Sequence, residues 1–109
     1  MDTSMGSKVA ERILQLRLAK KMTQEQLAER ADIDASVISR IERGSRSNIR
    51  LDTLEKIVTA LGVDYASIFS FPDSNHVKTR IDSKLDLITD QETLAAIEKL
   101  VDLLAVPRK

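Results

Sequence analysis

The spacing of apolar residues predicts an all-α fold. Apolar residues recur at intervals of three and four, which is the period of a helix with one buried face. We expect five helices, then a linker of turn-forming residues, and then two more helices. The predicted divisions are a disordered tail at 1–6, a first helical domain at 7–71, a linker at 72–76 and a second helical element at 77–109.

Two short helices joined by a tight turn are predicted in the first half of the chain. Thr23 and Gln26 have the spacing of a capping box, which would begin the first helix. Asp32 lies where the chain must turn sharply, and aspartate tolerates the left-handed conformation better than most residues do. Asp34 is a suitable N-cap for the second helix, and Gly44 a suitable end. This pattern is typical of a DNA-reading helix-turn-helix, although an ordinary pair of surface helices has the same spacing.

The second of these helices has one apolar face and one face of small polar residues and arginines. Val37, Ile38 and Ile41 form the apolar stripe that would anchor it. Serine and alanine allow close approach to a major groove, and arginine can bond guanine through two donors. We therefore predict that the residues reading DNA bases are Ala35, Ser36, Ser39 and Arg40.

Positive charge is concentrated at the end of this helix and just after it. Four arginines and one glutamate give residues 40–50 a net charge of +3, whereas the whole chain has a formal net charge of zero. Focused charge beside a candidate reading helix indicates where a DNA backbone would pass, although a charge run is more often a solvated face. The phosphate-binding residues predicted here are Arg43, Arg46 and Asn48.

Residues from about Val9 to Phe71 resemble the Cro/repressor-type (Xre) helix-turn-helix family. The resemblance rests on the runs RILQLRLAKKMTQEQLAERADIDASVISRIERG and LDTLEKIVTALGV. It implies a compact bundle of five helices that binds double-stranded operator DNA, usually as a dimer. It also implies that Gln24 contacts the DNA backbone and that Arg17 pairs with Glu42 across the domain. The alternative is that Arg17 and Glu42 are independent surface charges.

The C-terminal stretch carries a second apolar pattern, which the helix-turn-helix does not explain. Its first helix would have apolar residues at Val77, Ile81, Leu85 and Ile88, with Asp82, Asp86 and Asp90 on the solvent face. Thr89 and Glu92 would cap the second helix. The second helix has a seam that we assign to dimerisation: Leu94, Ile97, Val101 and Leu104. The arrangement resembles SinR-type regulators, in which a helical multimerisation element follows the DNA-binding domain; the alternative is a cap on the chain's own first domain.

Composition narrows the classes of protein further. The chain is 42% hydrophobic but only 3% aromatic, so its core should be aliphatic. It has no cysteine, which fits a reducing cytoplasm and excludes disulfides and thiolate metal sites. No apolar run approaches the roughly 18 residues of a membrane span. We expect no metal, no cofactor and no catalysis, because the single histidine lies beside the linker and the helix serines lack a neighbouring base.

These observations favour a sequence-specific transcriptional regulator, a repressor that binds a palindromic operator as a homodimer in the cytoplasm. One alternative is an antitoxin-type protein, which would neutralise a protein toxin through its C-terminal helices and repress its own operon. Another is a controller of a restriction–modification system, which uses the same fold. Co-purification of a second kind of chain would separate the antitoxin from the other two.

Overall fold

The computed structural model describes residues 4–44 and 48–105, and every regular element within these ranges is a helix. The helices are α1 (Met5–Ala19), α2 (Gln24–Ala31), α3 (Ala35–Glu42), α4 (Leu51–Leu61), α5 (Tyr65–Ile68), α6 (Val77–Leu85) and α7 (Gln91–Leu104). The predicted all-α fold class is confirmed.

Local signals set the ends of α2 and α3. Thr23 and Gln26 make both bonds of a capping box, at 3.0 and 2.9 Å. Asp32 ends α2 in the left-handed conformation, with φ of 56°. Asp34 caps α3 by accepting a hydrogen bond from the amide of Ser36 at 2.9 Å. These contacts determine locally where α2 begins and ends and where α3 begins.

The first helix begins earlier than the sequence pattern indicated. Ser4 accepts a hydrogen bond from the amide of Ser7 at 3.2 Å, and α1 starts at Met5. Met5 and Gly6 are therefore helical, and the boundary predicted between a tail at 1–6 and a domain starting at Ser7 lies too late. The residues before Val9 contribute little apolar periodicity, so only the cap could have marked this end.

An aliphatic core joins α1 to α5. Its buried residues are Val9, Ala10, Ile13, Leu16, Met22, Leu27, Ala28, Ile38, Ile41, Leu54, Ile57, Val58, Leu61 and Ile68. No aromatic ring is among these residues, as the composition predicted. Burying a leucine or isoleucine contributes about 1.5–3 kcal/mol to folding, so this core supplies most of the driving force for the bundle.

Polar contacts attach α6 to this bundle. Of the four apolar residues predicted for this helix, Val77 and Ile81 are more than half exposed, whereas Leu85 and Ile88 are half-buried. Asp86 instead pairs with the buried Arg12 at 2.6 Å, and Asp82 accepts a hydrogen bond from Ser70 at 3.0 Å. The prediction that Asp86 lies on the solvent face is therefore wrong, whereas Asp82 remains exposed as predicted. A guanidinium buried on α1 needs a counter-charge, and Asp86, just past the end of α6, supplies one.

The last helix, α7, presents a row of exposed apolar residues. It has no buried residue, and its most exposed apolar side chains are Leu100, Val101, Leu103 and Leu104. Asp90 caps it by accepting the amides of Glu92 and Thr93 at 3.3 and 3.2 Å. The predicted capping box on Thr89 is wrong by one residue, because aspartate at the adjacent position is the stronger cap for these amides.

We expect Asp90→Ala to weaken the first turn of α7. The substitution removes the acceptor for two amides that have no partner inside the helix. Hydrogen exchange of the α7 amides should therefore become faster in this variant. Thr89→Ala is the matched control and should leave exchange unchanged; equal acceleration in both variants would refute the assignment of the cap to Asp90.

Candidate DNA-binding surface

Helix α3 is anchored by one face and exposes the other. Ile38 and Ile41 are buried in the core, with 0% and 3% of their surface accessible. Ser36 is exposed on the opposite side, whereas Ser39 and Arg40 are half-buried. The fourth residue predicted to read bases, Ala35, is also half-buried and packs against the core. The exposed face is therefore narrow and consists of short side chains. Side chains longer than serine project from it only at the C-terminal end of α3.

An open depression lies beside this face, where the N-terminal ends of α2 and α3 come together. Its lining residues are Arg17, Thr23, Gln24, Glu25, Ala35, Ser36 and Ser39. Thr23 and Glu25 were not among the residues predicted for the site. The capping box marked Thr23 as the start of a helix. Because the amides at a helix start carry partial positive charge, that start was itself a signal for an anion-binding position.

Arg17 and Glu42 meet below this depression. Arg17 donates from Nε and Nη2 to the two carboxylate oxygens of Glu42 at 2.7 and 2.8 Å, and from Nη1 to the carbonyl of Met22 at 2.7 Å. Their side chains are only 10% and 4% exposed. The hydrogen bonds to Glu42 raise the pKa of Arg17 above its usual value. The pair links α1 to the end of α3, and it neutralises a carboxylate that would otherwise repel DNA.

Gln24 extends the same pair toward the surface. Its Nε2 donates to Glu42 at 3.0 Å, while the residue remains partly exposed at the rim of the depression. An amide nitrogen carries two donor hydrogens, so one bond to Glu42 leaves capacity for a second acceptor. The contact holds the first residue of α2 against the end of α3, which fixes the amide side chain at the edge of the candidate DNA surface.

The basic residues around α3 differ in how they are held. Arg40 donates from Nε to the carbonyl of Ser36 at 3.3 Å, so it lies along its own helix. Arg43 and Asn48 are exposed, and Arg46 lies outside the described residues. Arg50 bonds both carboxylate oxygens of Asp52 at 3.1 Å, which lowers the pKa of that carboxylate.

These partners change the charge balance of the surface. Glu42 is neutralised by Arg17, and Asp52 offsets Arg50. The positive charge predicted for residues 40–50 therefore comes from three arginines, Arg40, Arg43 and Arg46. Two of these lie in the described part of the chain, both at the C-terminal end of α3.

The residues predicted for dimerisation lie on α7. Leu94 and Ile97 are half-buried, whereas Val101 and Leu104 are 52% and 75% exposed. The apolar face thus becomes progressively bare toward the C-terminal end of the helix. Within residues 4–44 and 48–105 no cluster of three or more histidine or acidic side chains could hold a metal ion. No helix in these ranges is long and apolar enough to cross a membrane.

Replacing one partner of the Arg17–Glu42 pair should destabilise the fold. Glu42→Gln leaves a buried guanidinium without its counter-charge, and we expect a loss of about 3 kcal/mol in the free energy of unfolding. Glu55→Gln on the exposed side of α4 is the control and should be neutral. Urea denaturation of the three proteins measures the difference; a Glu42→Gln variant as stable as the parent would show that the pair contributes nothing.

Comparison with known proteins assigns the family. The pattern of the Helix-turn-helix family matches residues 13–68, just over half of the chain. The control protein C.BamHI of Bacillus amyloliquefaciens is 45% identical over 62 residues, which are 56% of this chain and 75% of that protein. The transcriptional regulator SinR of Bacillus subtilis (strain 168) is 35% identical over 78 residues, 72% of this chain and 67% of SinR.

A solved structure gives the same result. C.Esp1396I bound to a 25 base pair operator site is 41% identical, with a TM-score of 0.57, over 62% of this chain and 88% of that one. The chain thus combines the sequence pattern of the family with five helices, α1 to α5. Among them, a capped turn joins α2 to α3, and α3 is anchored in the core. The chain belongs to the Cro/repressor-type (Xre) helix-turn-helix family, as its sequence predicted.

Proposed function

We propose that the protein is a sequence-specific DNA-binding transcriptional regulator, a repressor that binds a palindromic operator as a homodimer in the cytoplasm. The observation that carries the proposal is the exposed face of α3, which has short side chains and ends in arginines. The similarity to the structure of C.Esp1396I bound to an operator site supports it. The family is one of DNA-binding regulators and is not an enzyme class.

In this proposal α3 enters the major groove. Ser36 and Ser39 allow the helix to approach closely, and Ala35 adds no side chain long enough to hold it away. Arg40 reads a base edge, preferably that of guanine, once its guanidinium releases its hydrogen bond to the carbonyl of Ser36. The bond from Arg40 to Ser36 is long, at 3.3 Å.

Phosphate contacts would flank this helix on both sides. Gln24 and the first amides of α2 lie at one edge, where the helix end favours an anion. Arg43, Arg46 and Asn48 would bind the backbone at the other edge, beyond the end of α3. Such contacts fix the register of the protein on DNA but carry no sequence information themselves.

Dimerisation would use the apolar face of α7. Val101 and Leu104 stand more than half exposed in the single chain, on the same face as Leu94 and Ile97. A contiguous apolar face of this kind is covered in most proteins. A second copy of α7 would cover it and would bring two α3 helices to successive major grooves, about 34 Å apart.

A second candidate function shares the DNA surface and differs in the genes that it regulates. The relatives C.BamHI and C.Esp1396I are control proteins, the latter of a restriction–modification system. A controller role for this chain is therefore the leading alternative within the same mechanism. An antitoxin would instead place a different protein on α7, so the mass of the purified complex separates that alternative from both.

Substitutions at Arg40 and Arg43 should have different effects on DNA recognition. We expect Arg40→Ala to cost about 1–3 kcal/mol of DNA-binding free energy and to relax base preference at one position of each half-site. Arg43→Ala should weaken binding to all DNA sequences about equally. It should also reduce the slope of log binding constant against log salt concentration by about one unit. Selection of DNA from a random pool, followed by salt titration, measures both effects.

Arg30→Ala is the control for both variants, since Arg30 is exposed at the end of α2, in a depression lined by α4 and Tyr65. It should bind DNA as the parent does. An Arg40→Ala variant that binds weakly but selects the parent's consensus DNA sequence would show that Arg40 contacts a phosphate and does not read a base.

A charge on the apolar face of α7 should separate the subunits. We expect Val101→Asp to convert the dimer to a monomer, because the interface would have to bury an unpaired carboxylate. Ala95→Asp adds the same charge on the opposite side of the helix and should leave the dimer intact. Sedimentation at matched concentrations measures this; a dimeric Val101→Asp variant would place the dimer contact elsewhere.

A further inference from the structure

Arg12 joins three helices at one buried point. Its side chain is fully shielded from solvent. On α5, Nε donates to the carbonyl of Ser67 at 2.8 Å. On α6, Nη2 donates to the carbonyl of Ser83 at 3.1 Å, and just past the end of α6 to a carboxylate oxygen of Asp86 at 2.6 Å. Nη1 is satisfied within α1 itself, by Gln15. Of the three bonds that leave α1, one holds α5 and two hold α6 and the residue that follows it.

Asp86 uses both of its oxygens in this cluster. One accepts from Arg12, and the other lies 2.9 Å from the hydroxyl of Ser67, which shares its one hydrogen between this oxygen and Asp64 at 2.7 Å. Burial lowers the pKa of Arg12, and Asp86 opposes this effect by stabilising the charged guanidinium. The carboxylate is thus held by two different helices, α1 and α5, at the residue where α6 ends.

The attachment of α6 is directional. Hydrogen bonds to a fixed guanidinium and hydroxyl specify distances and angles, whereas apolar contacts allow neighbouring surfaces to slide. The apolar residues Val77 and Ile81 are more than half exposed, so they contribute little to the position of the helix. Helix α7 begins at Gln91, and only four residues separate it from Asp86.

The same helix also positions α3. Arg17 follows Arg12 by five residues on α1, about 7.5 Å along its axis, and holds Glu42 at the end of α3. One rigid helix therefore connects the residue that positions the reading helix with the residue that positions the C-terminal helices.

We propose that Asp86 is a positioning residue that fixes the direction of α7 relative to α3, and thereby the separation of the two half-sites that one dimer recognises. This inference rests on the proposed function, because it needs a dimer joined through α7. Two linked reading helices gain affinity only when the geometry lets both reach their grooves, so a fixed direction of α7 selects one separation.

The test is a panel of duplexes in which two inverted half-sites are separated in steps of one base pair. The parent should bind one separation about tenfold or more tighter than its neighbours, because only that geometry engages both subunits. Asp86→Asn should reduce this preference to about threefold or less, with the affinity for a single half-site unchanged. Asp73→Asn, an exposed aspartate in the turn before α6, is the matched control and should keep the parent's profile.

A second variant guards against loss of folding. Arg12→Met combined with Asp86→Leu removes both charges, so no buried guanidinium is left without a partner. It should show the same broadened profile, with the domain folded by circular dichroism. Retention of the parent's preference by folded Asp86→Asn, or by the double variant, would overturn the inference while leaving the proposed function intact. A parent that binds as one chain and shows no preferred separation would instead overturn the proposed function, and this inference with it.

Discussion

The guanidinium of Arg17 bonds both oxygens of Glu42 in a place that solvent barely reaches, and we expect the position of α3, the proposed reading helix, to depend on that contact. The apolar anchors of α3, Ile38 and Ile41, bury the helix but do not determine its rotation by themselves. The ion pair adds a directional constraint at the end of the helix. The same carboxylate also holds Gln24, so α1, α2 and α3 are tied at one point beneath the candidate DNA surface.

Apolar and polar contacts have separate tasks in this fold. The aliphatic core supplies the free energy that closes the bundle, and it would tolerate small changes in helix direction. The two buried arginines of α1 remove that freedom, Arg17 for α3 and Arg12 for α6. The proposed dimer, which would reach two grooves of one DNA duplex, needs such constraints more than it needs extra stability, because a small error in direction grows with distance from the pivot.

The local features could be predicted from the sequence because their causes lie within a few residues. The capping box at Thr23, the left-handed Asp32 and the cap at Asp34 each depend on neighbours in the chain. At the start of α7 the same reasoning chose Thr89, although the adjacent Asp90 is the stronger cap and is the residue that bonds the first amides. Arg17 and Glu42 lie 25 residues apart, and family resemblance rather than periodicity suggested their pairing.

The buried cluster at Arg12 could not be predicted from the sequence. Its carboxylate partner is 74 residues away, and aspartates repeating every four residues look like the solvent face of an amphipathic helix. Nothing local distinguishes a charge that faces water from one that faces a buried guanidinium. The exposed α7 is the opposite case: its apolar pattern was evident from the sequence, and none of its residues is buried in the folded single chain.

The most direct test of the central claim is a hydroxyl-radical footprint of the full-length protein on DNA selected from a random pool. Two α3 helices held by one dimer predict two protected patches on the same face of the duplex, about one helical turn apart and related by two-fold symmetry. Protection of a single patch, or the absence of any defined footprint on the selected DNA, would contradict the account.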